Sequence, residues 1–228
     1  MKANRFFTTA IFSIIGVLAA AQPWMMRPQG PANEFSAMEG TSVLNYNLQM
    51  ERDIHSRAGF GPAFYIFPDS KLDNNQALEL AGKLDLVNII KEYGGRIMVV
   101  NPSSDKWQEQ DLENFRRLIG MGGAPTNVKV IGIGSGATFV NRHLAATALT
   151  GVIAGIVSID GEPGKVCKLP VPAFIGGKNA TKTAKPYQST SDAAPADPLQ
   201  KVVVNTDKKA SLETLFAEAW DKVLSENY

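Results

Sequence analysis

Short apolar runs, each stopped by Pro, Gly, Asp or Asn, alternate along this chain with stretches whose apolar positions recur every three or four residues. Ala63 to Phe67 is the first clear strand, ended by Pro68-Asp69-Ser70. From Leu84 to Tyr93 the positions Leu84, Leu86, Val87, Ile90 and Tyr93 keep a helical period, with Gly94-Gly95 as the stop. Ile97 to Val100 predicts a second strand, and Asp111 to Ile119 a helix with Leu112, Phe115, Leu118 and Ile119 on one side. Val128 to Ile133 is the central strand and residues 138–149 its helix. Val152 to Ile159 is apolar throughout, as a strand covered on both faces should be. Val171 to Ile175 and Val202 to Val204 complete the strands, and Leu212 to Leu224 is the last helix. This alternation predicts an α/β domain with a mostly parallel sheet wrapped on both faces.

Two stretches fall outside the pattern. Residues 22–45 lack a period and are rich in Pro, Gly and polar groups, which predicts an extended arm ahead of a domain spanning 46–228. Within that domain, 176–198 reads as a loose segment of Ala, Pro, Ser, Thr and Lys.

The amino terminus changes the setting. Lys2 and Arg5 make a positive start, Phe6 to Leu18 an apolar run, and Ala19-Ala20-Ala21 a cleavage site before Gln22. Residues 1–21 are therefore expected to be a signal peptide cut after Ala21, with the mature chain secreted or periplasmic. The apolar run is short for a spanning helix, so no membrane span is expected after cleavage. A net charge of +1 over 228 residues gives no electrostatic case for nucleic acid. Cys167 is the only cysteine, which excludes an internal disulfide and a cysteine-based metal cluster. No His/Asp/Glu grouping has metal-ligand spacing, and neither metal nor cofactor is expected. His55 and His143 are the only histidines.

Candidate chemistry concentrates in Gly132-Ile133-Gly134-Ser135-Gly136-Ala137, a glycine-rich turn between the central strand and its helix. Three readings compete for it. As G-x-G-x-x-A it fits a dinucleotide turn with Asp160 as the ribose ligand, although two βα units precede it, where that motif normally opens its fold. Centred on Ser135 it is a nucleophile elbow, with Ser135 as catalytic serine and the Gly136 amide as an oxyanion donor. That register puts Ile133 where a small residue is required. It also leaves His143 inside the following helix, some 10 Å or more from the elbow at about 1.5 Å per residue. Centred one residue earlier, Gly132, Gly134 and Gly136 occupy the three key positions of G-x-S-x-G. The nucleophile position is then a glycine, and the missing base and missing nucleophile have one explanation.

Residues 62–177 resemble the polyhydroxybutyrate depolymerase-type esterases of the α/β-hydrolase superfamily. The matching stretches are Phe64 to Ser70 for the first strand and oxyanion loop, and LVNIIKEYGGRIMVVNPSS (Leu86 to Ser104) for a helix and strand. GIGSGA stands for the elbow, GVIAGIVSIDG for the strand after it, and Pro170 to Asn179 for the strand that normally carries the acid. The resemblance implies an α/β-hydrolase-like three-layer sandwich, with Asp69 on the oxyanion-like loop. It also implies departures: Gly134 at the nucleophile, Asn179 near the acid, and no histidine after residue 143. The expectation is a domain without its own catalytic triad that supports an ester-hydrolysing protein, as a partner or as the amino-terminal part of a longer esterase.

Plainer roles stand beside these. Asp69 and Ser70 suit a helix-capping turn, Asp160 a strand-end turn with Gly161, and Trp107 a half-buried loop anchor. Asn179-Ala180-Thr181 fits a glycosylation acceptor.

Overall fold

Among the described residues eight strands form one sheet in the order β1-β2-β4-β3-β5-β6-β7-β8. They are β1 (Asn33–Met38), β2 (Thr41–Tyr46), β3 (Ala63–Phe67), β4 (Arg96–Val100), β5 (Val128–Ile133), β6 (Ile153–Ile159), β7 (Ala173–Gly176) and β8 (Val202–Asn205). This computed structural model describes residues 33–38, 41–46, 62–93, 95–121, 127–147, 152–168, 171–193 and 201–225. The expected signal peptide and His55 lie outside the described residues. Strands β4, β3, β5, β6, β7 and β8 pair in parallel, and β2 pairs antiparallel with both β1 and β4.

Helices fill the crossovers, and one more follows the last strand. They are α1 (Asn74–Lys83), α2 (Leu86–Tyr93), α3 (Gln110–Met121), α4 (Ser135–Phe139, running on as a π turn through Val140–Leu144), α5 (Ala180–Ala193) and α6 (Leu212–Ala219, running on as a π turn through Trp220–Leu224). Alternation along each strand assigns the two cores. Tyr65, Phe67, Val130 and Ile175 pack with Phe115, Phe139 and Tyr187 beneath α3, α4 and α5. Phe64, Ile66, Ile131 and Phe174 pack with Leu84, Ile90 and Phe216 on the α1, α2 and α6 side. The result is a three-layer α/β/α sandwich, and both faces of β3 are fully buried.

From β3 the chain steps outward to β4, then returns past β3 to β5. The ends of β3 and β5 are thus neighbours where the winding reverses, with Phe67 paired to Gly132. Open α/β sheets bind ligands at such a reversal, because loops leaving in opposite directions open a crevice there.

Several expectations need correction. The expected arm, 22–45, does not lie wholly outside the domain: β1 and β2 extend the sheet beyond β4. Their half-polar sequences carry no apolar run, and main-chain pairing makes them strands. The loose segment contains α5, a 14-residue helix with Pro186 inside it. Ala180, Thr183, Ala184 and Tyr187 are buried at helical spacing, a stripe mostly of small residues with little apolar contrast. Helix α1 carries little apolar period and is set by its cap. Asp73 caps it by accepting the Gln76 N–H at 2.9 Å, while Gln76 accepts the Asp73 N–H at 3.0 Å. Helix α4 begins at Ser135, three residues earlier than its apolar pattern suggests.

Candidate functional site

The turn from β5 into α4 is made at Gly134, whose φ of 56° and ψ of −117° lie where a side chain is strained. Its N–H donates to Ile159 O at 2.9 Å, and its carbonyl accepts the Thr138 N–H at 3.0 Å. The glycines on either side serve close approach. A Cβ on Gly132 would lie 2.5 Å from Ala137 Cα, and one on Gly136 would collide with Phe67 O. Small residues are thus required two before and two after Gly134, the spacing of an elbow centred on Gly134. Ile133 and Ala137, the corresponding pair for Ser135, meet no such demand for a missing Cβ.

Asp69 does not cap a helix; Asp73 does that work. Instead Asp69 Oδ1 accepts the Ser135 N–H at 2.6 Å. A Cβ built on Gly134 would collide with the same carboxylate oxygen. Ser135 Oγ donates to the Asp69 main-chain carbonyl. In an acyl-transfer elbow the N–H after the nucleophile receives the developing oxyanion. Here a carboxylate sits on the N–H after Gly134, and the volume of a side chain at 134 is filled.

The polar groups at the strand ends that would supply an acid and a base are engaged in local hydrogen bonds. After β6, Asp160 adopts a φ of 57°, and its Oδ1 accepts the Lys178 N–H at 2.9 Å. It therefore ties the loop after β7 to the end of β6 rather than facing a nucleotide. Asn179 Nδ2 donates to Glu162 Oε1 at 2.9 Å. After β8 come Thr206, Asp207, Lys208 and Lys209, with the Asp207 N–H donating to Asn205 Oδ1 at 2.8 Å. His143 stands on α4 beside Phe139, ring centroids 5.3 Å apart. It lines the same groove as Ser135, eight residues further along the helix. Among the described residues no carboxylate hydrogen-bonds the His143 ring.

A polar network that sequence reasoning missed fixes the helix behind the elbow. Buried Asn141 donates to Glu162 O at 2.8 Å and accepts the Tyr187 hydroxyl at 2.8 Å. Thr138 Oγ1 accepts the Glu162 N–H at 3.0 Å, and Thr183 Oγ1 donates to Gly161 O at 2.8 Å. Burial pushes the Tyr187 hydroxyl well above the usual phenol range. The signal was present only as the buried polar positions of the α4 and α5 stripes.

On the other side of the elbow, Trp107 is half-buried. Its Nε1–H donates to Pro68 O at 2.9 Å, and its ring stacks on Phe139 with centroids 4.8 Å apart. It thereby pins the Pro68-Asp69 corner over Gly134. Cys167 is buried in the core and borders no part of this site.

No protein-family model matches this chain. No curated protein matches it either. Solved structures do. An alpha/beta hydrolase enzyme from a Medee basin deep-sea metagenome library superposes with a TM-score of 0.57 at 15% identity, covering 88% of this chain and 93% of that one. A thermophilic esterase from the Planctomycetes species Thermogutta terrifontis gives 0.57 at 10% identity, covering 87% and 95%. A hormone-sensitive lipase from a metagenome library gives 0.53 at 10% identity, covering 92% and 91%. With its strand order, its three layers and its β5–α4 elbow, the chain has the α/β-hydrolase fold.

Proposed function

We propose that this is an exported α/β-hydrolase-fold domain without a working triad, which supports or presents substrate to an ester-hydrolysing protein. One observation carries the reading: the elbow residue is Gly134, and the Asp69 carboxylate occupies both the space beside it and the amide that would receive an oxyanion. A carboxylate there repels a developing negative charge instead of stabilising it. The likeness of residues 62–177 to polyhydroxybutyrate depolymerase-type esterases makes an ester the bond cut by the catalytic partner. That partner is a separate protein or a domain encoded beyond Tyr228.

The test is a fluorophosphonate probe on the purified chain, with a Thermogutta-type esterase as positive control. The expected result is no covalent adduct. Labelling at Ser135 would overturn the proposal. Reading the gene past codon 228 tests the tandem arrangement, and an amino terminus at Gln22 on protein recovered outside the cytoplasm tests export.

A second reading has one observation in its favour: Ser135 and His143 border a common groove. An active serine esterase using Ser135 would require its hydroxyl to leave the Asp69 carbonyl and reach that ring. Dinucleotide binding, the third reading, is tested by an NADH fluorescence titration, expected to be flat.

A further inference from the structure

The groove beside the elbow encloses about 420 Å³. One face of α4 forms its floor: Ser135, Thr138, Phe139, Arg142 and His143, at successive helical spacings. Asp69 and the loop bearing Asp105, Lys106 and Trp107 complete it. Its polar groups divide into two sets. The hydroxyls of Ser135 and Thr138 and the indole N–H of Trp107 are spent on main-chain carbonyls. What Trp107 presents is therefore carbon surface, backed by the buried Phe139 ring. The side chains of Asp105, Lys106, Arg142 and His143 make no hydrogen bond or ion pair with another described residue. They are donors and acceptors available to a ligand.

The charges around this groove cancel. Asp69 and Asp105 face Lys106 and Arg142, so neither an anion nor a cation has a net field to draw it in. The favoured ligand is neutral, carries groups that both donate and accept, and has one apolar face for a ring. A pyranose in its chair form is such a molecule, with axial C–H groups on one face and hydroxyls around its edge. We propose that this groove binds a neutral pyranose, its C–H face on Trp107 and its hydroxyls on the Asp105 carboxylate and Arg142 guanidinium. The proposal rests on the inert-elbow reading, since a working elbow would make the same groove an enzyme's acyl or alcohol pocket. The domain then holds a sugar-bearing substrate for its partner, and Asp69 protects it from hydrolysis here.

The experiment is an NMR titration of the full chain with the methyl glycosides of glucose, galactose, mannose and xylose to about 100 mM, the range of weak single-site binding. The expected result is saturable shifts at the Trp107 indole N–H and the Arg142 side chain. Trp107→Ala should weaken binding by about tenfold, the loss of one ring contact. Arg142→Ala, an exposed position whose loss leaves the core intact, should weaken it severalfold. No saturation with any glycoside, or saturation that neither substitution alters, overturns the site. Tighter binding of a methyl uronate overturns the neutral-ligand assignment. Fluorophosphonate labelling of the same preparation separates the two ideas. An adduct at Ser135 defeats the inert-elbow reading, whereas an unlabelled protein that binds no glycoside defeats the sugar site alone.

Discussion

The Asp69 carboxylate accepts the Ser135 main-chain N–H at 2.6 Å, bridging 66 residues of sequence at the junction of β3 and β5. The same oxygen blocks the side-chain space of Gly134. Introducing a serine at 134 therefore places its Cβ against Asp69 and forces a non-glycine residue into a strained conformation. Gly134→Ser should lower stability by about 1–3 kcal/mol and gain no ester hydrolysis. Asp69→Gly in that background should recover a good part of the loss. Thermal unfolding of the two single variants and the double variant measures the coupling, and strictly additive effects would contradict the collision.

Ser135 itself should prove dispensable. Its hydroxyl donates to the Asp69 main-chain carbonyl, so Ser135→Ala removes one exposed hydrogen bond and costs about 1 kcal/mol or less. Probe labelling and residual ester hydrolysis should be the same as in the unaltered protein. Any activity that disappears with this substitution speaks for the serine-esterase alternative.

Lys129 gives a pH signature. It is fully buried on β5, its stem lies over Gly155 on β6, and its Nζ has no hydrogen-bond partner. Burial lowers its pKa from 10.5 to about 8. Between those values the unfolded chain holds more protons than the folded one, so this lysine's contribution to stability rises with pH. Below pH 8 its cost is present in full. Lys129→Met should stabilise the protein near neutral pH by up to about 3 kcal/mol. The advantage should shrink as pH climbs from 8 towards 10.5. Calorimetry of both proteins across that window decides it, and a pH-independent difference would defeat the assignment.

Behind the elbow, Asn141 and Tyr187 should respond unequally. Asn141→Ala strands the buried Tyr187 hydroxyl and the Glu162 carbonyl, at a cost of about 2–4 kcal/mol. Tyr187→Phe leaves only the Asn141 oxygen without its donor and should cost about 1–2 kcal/mol. Denaturant midpoints at constant m-value provide the comparison.

Much of this architecture was legible because strands and helices declare themselves by period. β3 and β5 stand at the residues their apolar runs mark, and β4, β6, β7 and β8 differ only at their ends. Elements held by other means were not legible. β1 and β2 depend on main-chain pairing, α1 on a capping box, and α5 on a stripe of Ala and Thr that offers little apolar contrast. The rise along a helix fixes only how far His143 lies from Ser135. Its sharing of a groove with Ser135 depends on the face of α4 and on the Trp107 loop opposite.

The sequence by itself determined the layered α/β order and the register of glycines around the β5–α4 turn, since periodicity and residue size are local properties. Only the tertiary structure decided what stands in front of that turn. Asp69 and Ser135 meet because the winding of the sheet reverses between β3 and β5, and a contact made by strand order leaves no mark in the spacing of either segment.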